Sequence, residues 1–69
     1  MAYNYSKLLG RIVEKFGTQG RFARAMGMSD RSLSLKLHNK RQFKQGEIIK
    51  ACQLLDIALE ESGLYFFAV

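Results

Sequence analysis

The sequence has no proline, a single cysteine and a single histidine, and each scarcity removes a class of structure or chemistry. With no proline to interrupt a helix, little strand-like alternation, and no internal repeat or low-complexity tract, helices joined by short turns are the default architecture. Cys52 has no partner for an internal disulfide, and with His38 as the sole histidine there is no ligand set for structural zinc. Packing alone must hold the chain together. The longest apolar run, Leu64 to Val69, is far too short to span a bilayer. Met1 to Ser6 lacks the basic-then-apolar build of a signal peptide, so the protein is expected to stay in the cytoplasm. Catalytic equipment is also missing. No Ser/His/Asp or paired-carboxylate arrangement accompanies His38, adjacent Glu60 and Glu61 read as polar residues of a surface turn, and no phosphate-cradling glycine loop occurs. The expectation is a non-enzymatic protein without a cofactor or metal.

What is present is 69 residues, 48% of them hydrophobic, with a formal charge of +5. That length fits one domain spanning residues 1–69. A chain of this size buries only about 60% of the surface its unfolded form exposes, so its core is marginal and a second copy would help. The charge is unevenly placed. Arg21, Arg24, Arg31, Lys36, Lys40, Arg41 and Lys44 face only Asp30 within residues 21–44, a net of +6, whereas residues 45–69 sum to −3. Such a block is either a solvated face or the footprint of a polyanionic partner.

Apolar periodicity predicts the helices. Leu8, Leu9, Ile12, Val13 and Phe16 make one stripe of a first helix capped by Asn4 or Ser6, with Lys7, Arg11 and Lys15 on the opposite side as solubilising charges and Gly17 as the stop. Thr18 caps a second helix, Gln19 to Met26, which turns Phe22, Ala23 and Met26 inward and ends at Gly27. Ser29 caps a third, in which Leu33 and Leu37 face the core while Arg31, Ser34, Leu35 and His38 point outward. A basic loop, Asn39 to Lys44, is anchored by Phe43. A fourth helix from about Gln45 to Leu55 buries Ile48, Ile49, Cys52 and Leu55 and shows Glu47, Lys50 and Gln53 to water. A fifth turn near Leu59 to Ser62 leads into an aromatic tail, residues 63–69, of β-prone composition. The fold class expected is therefore all-α, a compact bundle of four to five short helices.

The segment from about 18 to 38 carries the functional signal. Two short helices joined by a three- to four-residue turn built on glycine form a helix-turn-helix, whose second helix fits the major groove of B-DNA. The run Thr18-Gln19-x-x-Phe22-Ala23-x-x-Met26-Gly27-Met28-Ser29-x-x-Ser32-Leu33-Ser34 resembles the helix-turn-helix of phage Cro and repressor proteins, the Xre/Cro type, whose fold is that of the lambda-repressor DNA-binding domain. With its flanking helices the resemblance covers roughly residues 5 to 56, and the tail is similar to that of small prophage Cro-like proteins. Two departures stand out: Gly20 lies inside the second helix, and the third helix spaces its inner leucines by four where many members use three.

Arg31 is the leading candidate for reading bases, because its planar fork matches guanine O6 and N7; contact with phosphate alone is the competing role. Asp30 either accepts from a cytosine amino group or simply complements the helix dipole. Ser34 is short enough to approach a base or a phosphate. Leu35 either touches thymine methyls or shows that the helix is rotated from its expected setting. Phosphate contacts are expected from Gln19, Arg21, Ser29, Lys36, Lys40, Arg41 and Lys44. The resemblance implies a sequence-specific regulator of double-stranded DNA, a Cro-like repressor that occludes a promoter operator. The aromatic tail either folds back on the first and fourth helices or pairs with a second copy, and dimerisation would place two recognition helices about 34 Å apart. The alternative is an antirepressor or modulator that keeps the fold but binds a partner repressor protein, a reading suggested by outward Leu35 and the greasy tail.

Overall fold

The computed structural model describes residues 2–69, and its element order is α1 (Ser6–Phe16), α2 (Gln19–Met26), α3 (Asp30–Leu37), α4 (Gln45–Leu55), a 3-10 turn (Leu59–Glu61) and α5 (Ser62–Phe66). There is no strand among the described residues. The chain is an all-α bundle around a helix-turn-helix, α2 to α3. The helix starts follow the local chemistry anticipated from sequence. Thr18 Oγ1 accepts from the Arg21 N–H at 3.2 Å, and Ser29 Oγ accepts from the Ser32 N–H at 3.1 Å, each satisfying an N–H with no partner inside its helix. At α1 the capping is displaced by one residue. Tyr5 holds the N-cap position, while Asn4 Oδ1 accepts from both the backbone N–H and the hydroxyl of Ser6.

Three helices end in the same way. Gly27, Asn39 and Asp56 have φ of 76°, 62° and 55°, and the next residue's N–H reaches back five positions: Met28 to Ala23 O, Lys40 to Leu35 O and Ile57 to Cys52 O. Glycine enters this region without cost, and Asn and Asp are the side chains that tolerate it best.

The core joins Leu8 and Ile12 of α1, Phe22, Ala23 and Met26 of α2, Leu33 and Leu37 of α3, and Ala51, Cys52 and Leu55 of α4. Two expected core residues are excluded. Val13 is 56% exposed and Ile49 38%, so the buried stripes of α1 and α4 are narrower than the apolar patterns suggest. Burial pushes the Cys52 thiol above its usual range, leaving it protonated at neutral pH.

The tail differs from its β-prone composition. Its residues 63–66 belong to α5 and residues 67–69 to no helix, and Phe66 is fully buried among the other helices because α5 packs on α1 and α4. Packing of that one ring overrides local strand preference. The charges on α1 are likewise structural rather than merely solubilising. Arg11 Nε donates to Leu55 O at 2.8 Å and Arg11 also pairs with Glu14, while Lys15 Nζ meets Asp56 Oδ2 at 2.9 Å, so α1 caps the open carbonyl end of α4. Lys7 stands over the Tyr65 ring, 5.2 Å from its centroid.

Candidate functional site

Two surfaces stand out. The first is the basic surface of exposed cations carried by α2, α3 and the following loop. Arg21, Arg24, Arg31, Lys40, Arg41 and Lys44 are exposed. Ion pairs among the described residues join Arg11 to Glu14, Lys15 to Asp56 and Lys36 to Glu47, so those six cations have no acidic partner. Gln19 and Ser29 are also exposed at the starts of α2 and α3, though the Ser29 hydroxyl is occupied in capping.

Lys36 departs from its expected place on this face. It is buried at 6% exposure, with Nζ 3.3 Å from Glu47 Oε1 and 3.4 Å from the Gln42 carbonyl. The cause is geometric: α3 turns Leu33, Lys36 and Leu37 inward together, and Glu47 at the start of α4 waits opposite. Burial pushes the Glu47 carboxyl up, but the Lys44 N–H at 2.9 Å and the Lys36 ammonium together pull it below its ordinary value. Glu47 is thus half-buried rather than surrendered to water, while Lys50 is exposed as expected and also donates to Met26 O at 3.3 Å.

The remaining candidates on α3 are placed as follows. Arg31 is exposed and projects freely. Asp30 is exposed, and its carboxylate stands over Gly20 of α2, where an added Cβ would lie 3.4 Å from Oδ2. That is ordinary contact distance, so the space does not require a glycine within α2, and the Asp30 carboxylate is turned toward the neighbouring helix. Ser34 is half-buried and close to His38: His38 Nδ1 lies 2.7 Å from the Ser34 carbonyl and 3.4 Å from its hydroxyl. Leu35 is half-buried rather than fully outward, because the chain after Asn39 folds back and the Lys40 and Arg41 N–H groups both reach the Leu35 carbonyl.

The second surface was missed by sequence reasoning. A cavity of about 540 Å³ opens between the start of α4 and the C-terminal elements, lined by Phe43, Gln45, Ile48, Ile49, Leu59, Ser62 and Phe67. Leu59 is 57% exposed and Phe67 51%. Its walls come from segments up to 24 residues apart, so no local pattern announces it; the only hint was an apolar tail too large for a small core. Basic Lys44 adjoins one wall in sequence, and exposed Glu60 and Glu61 adjoin the other. Beneath it, Phe43 meets Phe66 edge-on at 5.2 Å and Tyr5 at 5.6 Å, which anchors the basic loop as expected.

Among the described residues no group of three or more His, Cys, Asp and Glu side chains could hold a metal ion. No helix is long and apolar enough to cross a membrane among the described residues. No curated protein matches the sequence significantly. The chain is similar in structure and sequence to the modulator of repression (MOR) of the temperate bacteriophage TP901-1 from Lactococcus lactis, with a TM-score of 0.85 and 51% identity over 97% of this chain and 90% of that one. A family model described as "Protein of unknown function (DUF739)" matches residues 1–69, and the chain belongs to that family.

Proposed function

We propose that the protein is a phage-type modulator of repression that acts by binding a DNA-binding regulatory protein rather than by catalysis. The single observation carrying this reading is the 51% identity, over nearly the whole chain, to a protein named as a modulator of repression. Electrostatics then favours one docking surface. A repressor meets its operator with a positively charged face. The α2–α3 face of this chain, with six cations lacking acidic partners, would repel such a surface. The apolar groove beside Glu60 and Glu61, in the acidic C-terminal third, complements it. Exposed Leu59 and Phe67 then serve as anchors, with the carboxylates steering the approach.

The test is titration calorimetry of the full chain against the repressor encoded in the same regulatory switch. A complex at micromolar concentrations is expected. Leu59→Lys and Phe67→Lys should each weaken it by about tenfold or more with unchanged helical circular dichroism, as expected for interface anchors. Failure of the wild-type chain to bind the repressor at all would overturn the reading.

The helix-turn-helix and its unpaired cations support a second reading, the sequence-specific Cro-like repressor of the Xre/Cro type. Arg31, with Ser34 and Leu35, would read bases of a double-stranded operator. Gln19, Arg21, Ser29, Lys40, Arg41 and Lys44 would hold phosphates, and a homodimer would span the two half-sites. Lys36 drops out because it is buried, and Asp30 because it leans over Gly20. Gel shifts with the DNA flanking the gene decide the matter. On this reading the chain alone binds, affinity falls by orders of magnitude between about 50 and 200 mM salt, and Arg31→Ala relaxes base preference where Lys40→Ala weakens all sequences alike.

A further inference from the structure

The N-terminal residues just before α1 touch both functional surfaces. The Tyr3 N–H donates to Asn39 Oδ1 at 2.9 Å, and Asn39 Nδ2 donates back to the Tyr3 carbonyl at 2.9 Å. This reciprocal pair crosses 36 residues of sequence and occurs at the residue whose left-handed φ of 62° ends α3 and launches the basic loop. On its other side the same segment holds the C-terminus. The Asn4 N–H donates to the Ala68 carbonyl at 2.7 Å, and the Tyr3 ring meets Phe67 edge-on at 5.8 Å. Phe67 is a wall of the apolar groove and is half exposed.

We propose that Tyr3 to Tyr5 form a strap that couples the apolar groove to the end of α3, so that what settles against Phe67 is felt by the loop bearing Lys40 and Arg41. The proposal rests on the groove being the docking surface for a partner, as argued above. The physical content is that Tyr3 is shared. Its ring faces Phe67, while its backbone satisfies both hydrogen-bonding groups of the Asn39 side chain, so a displaced Phe67 ring removes one side of the support that keeps Tyr3 in register with Asn39. The left-handed conformation of Asn39 is held by this clasp together with the Lys40 N–H to Leu35 O bond, so a loosened clasp removes one of its two supports and frees the aim of the loop after it. Leu59 lines the same groove without touching the strap by any of these bonds or ring pairs, which makes it an internal control.

The experiment uses the full chain and needs no partner. Phe67→Ala and Leu59→Ala are compared with the wild type by amide hydrogen exchange and nitrogen-15 NMR. Phe67→Ala should lower the protection of the Tyr3 amide by about tenfold, the equilibrium effect of weakening about one such hydrogen bond. It should also shift the Asn39 side-chain amide together with the Lys40 and Arg41 backbone signals, while Leu59→Ala leaves all of these in place. Asn39→Gly, which keeps the backbone conformation but removes the amide, reads the coupling from the opposite end and should reduce the ring contacts between Tyr3 and Phe67. Unchanged Tyr3 protection and unchanged Asn39 signals in Phe67→Ala would overturn the proposal, as would equal responses to Phe67→Ala and Leu59→Ala. Because no repressor is present, a negative result here leaves the proposed function standing. Conversely, a chain that shows the coupling but binds no repressor would sink only that function.

Discussion

The helix-turn-helix and the C-terminal third use their side chains in opposite ways. In residues 18–44 the apolar positions are almost all inside and the cations, apart from Lys36, are outside without acidic partners. In residues 45–69 two of the four acids are committed, Glu47 to Lys36 and Asp56 to Lys15, while Ile49, Leu59, Leu64, Phe67 and Val69 remain exposed. The first region therefore presents charge, and the second presents apolar surface beside charge of the other sign. A small helical bundle can in this way carry two chemically different faces, and the difference arises from how each region meets its packing requirement. The helix-turn-helix closes on its own two caps and one glycine turn. The tail has no comparable local closure and is held chiefly by the Phe66 ring it buries, with the Asn4–Ala68 hydrogen bond and the Tyr3–Phe67 ring pair beside it.

The sharpest way to break the contrast is to remove that ring. Phe66→Ala should destabilise the chain by about 3–5 kcal/mol, comparable to the whole stability of a small domain, whereas Phe67→Ala should cost about 1 kcal/mol through loss of one edge-on pair; urea unfolding measures both. Similar losses at the two positions would mean that the tail is held as a unit rather than by Phe66.

Next in size is the contact that joins the two regions. Glu47→Gln leaves the buried Lys36 ammonium without its counter-charge and should cost about 1–3 kcal/mol in the same assay, while the paired exchange of Lys36→Met with Glu47→Leu should recover most of that loss. Acid provides a second probe of this contact. Because the folded-state pKa of Glu47 lies below its ordinary value of 4.5, its stabilisation is complete above that pH and is lost as the pH falls through the lowered native value. Glu47→Gln should flatten that part of the stability profile below about pH 4.5, and an unchanged acid limb would remove the pair from the account.

The smallest effect is at Gly20. An alanine there would place its Cβ in ordinary contact with the Asp30 carboxylate at 3.4 Å, so Gly20→Ala should stabilise α2 by about 0.5–1 kcal/mol, read as a raised thermal midpoint. A fall in stability would show that Asp30 needs the open space.

The legible parts of this protein were those governed by chemistry within one turn of chain. Thr18, Ser29 and Gly27 mark their helix boundaries because a cap or a left-handed residue acts on neighbours three to five positions away. Asn39 and Asp56 end helices by the same rule and were readable in principle, since Asn and Asp tolerate that conformation. The net charge of residues 21–44 was also fixed by composition, although its exposure was not.

Everything that depends on what lies opposite was decided by tertiary structure. A lysine on α3 looks equally suited to phosphate or to Glu47 until α4 is in place, and Val13 continues an apolar stripe until the bundle leaves nothing to cover it. Strand-prone Leu64 to Phe66 become helical because burying Phe66 against α1 and α4 outweighs a local preference worth at most about 1 kcal/mol. Sequence thus determined an all-helical basic module with a helix-turn-helix at its centre. The groove, the buried Lys36–Glu47 pair and the strap between Asn39 and Ala68 were set by folding, because each joins residues whose proximity no short-range pattern encodes.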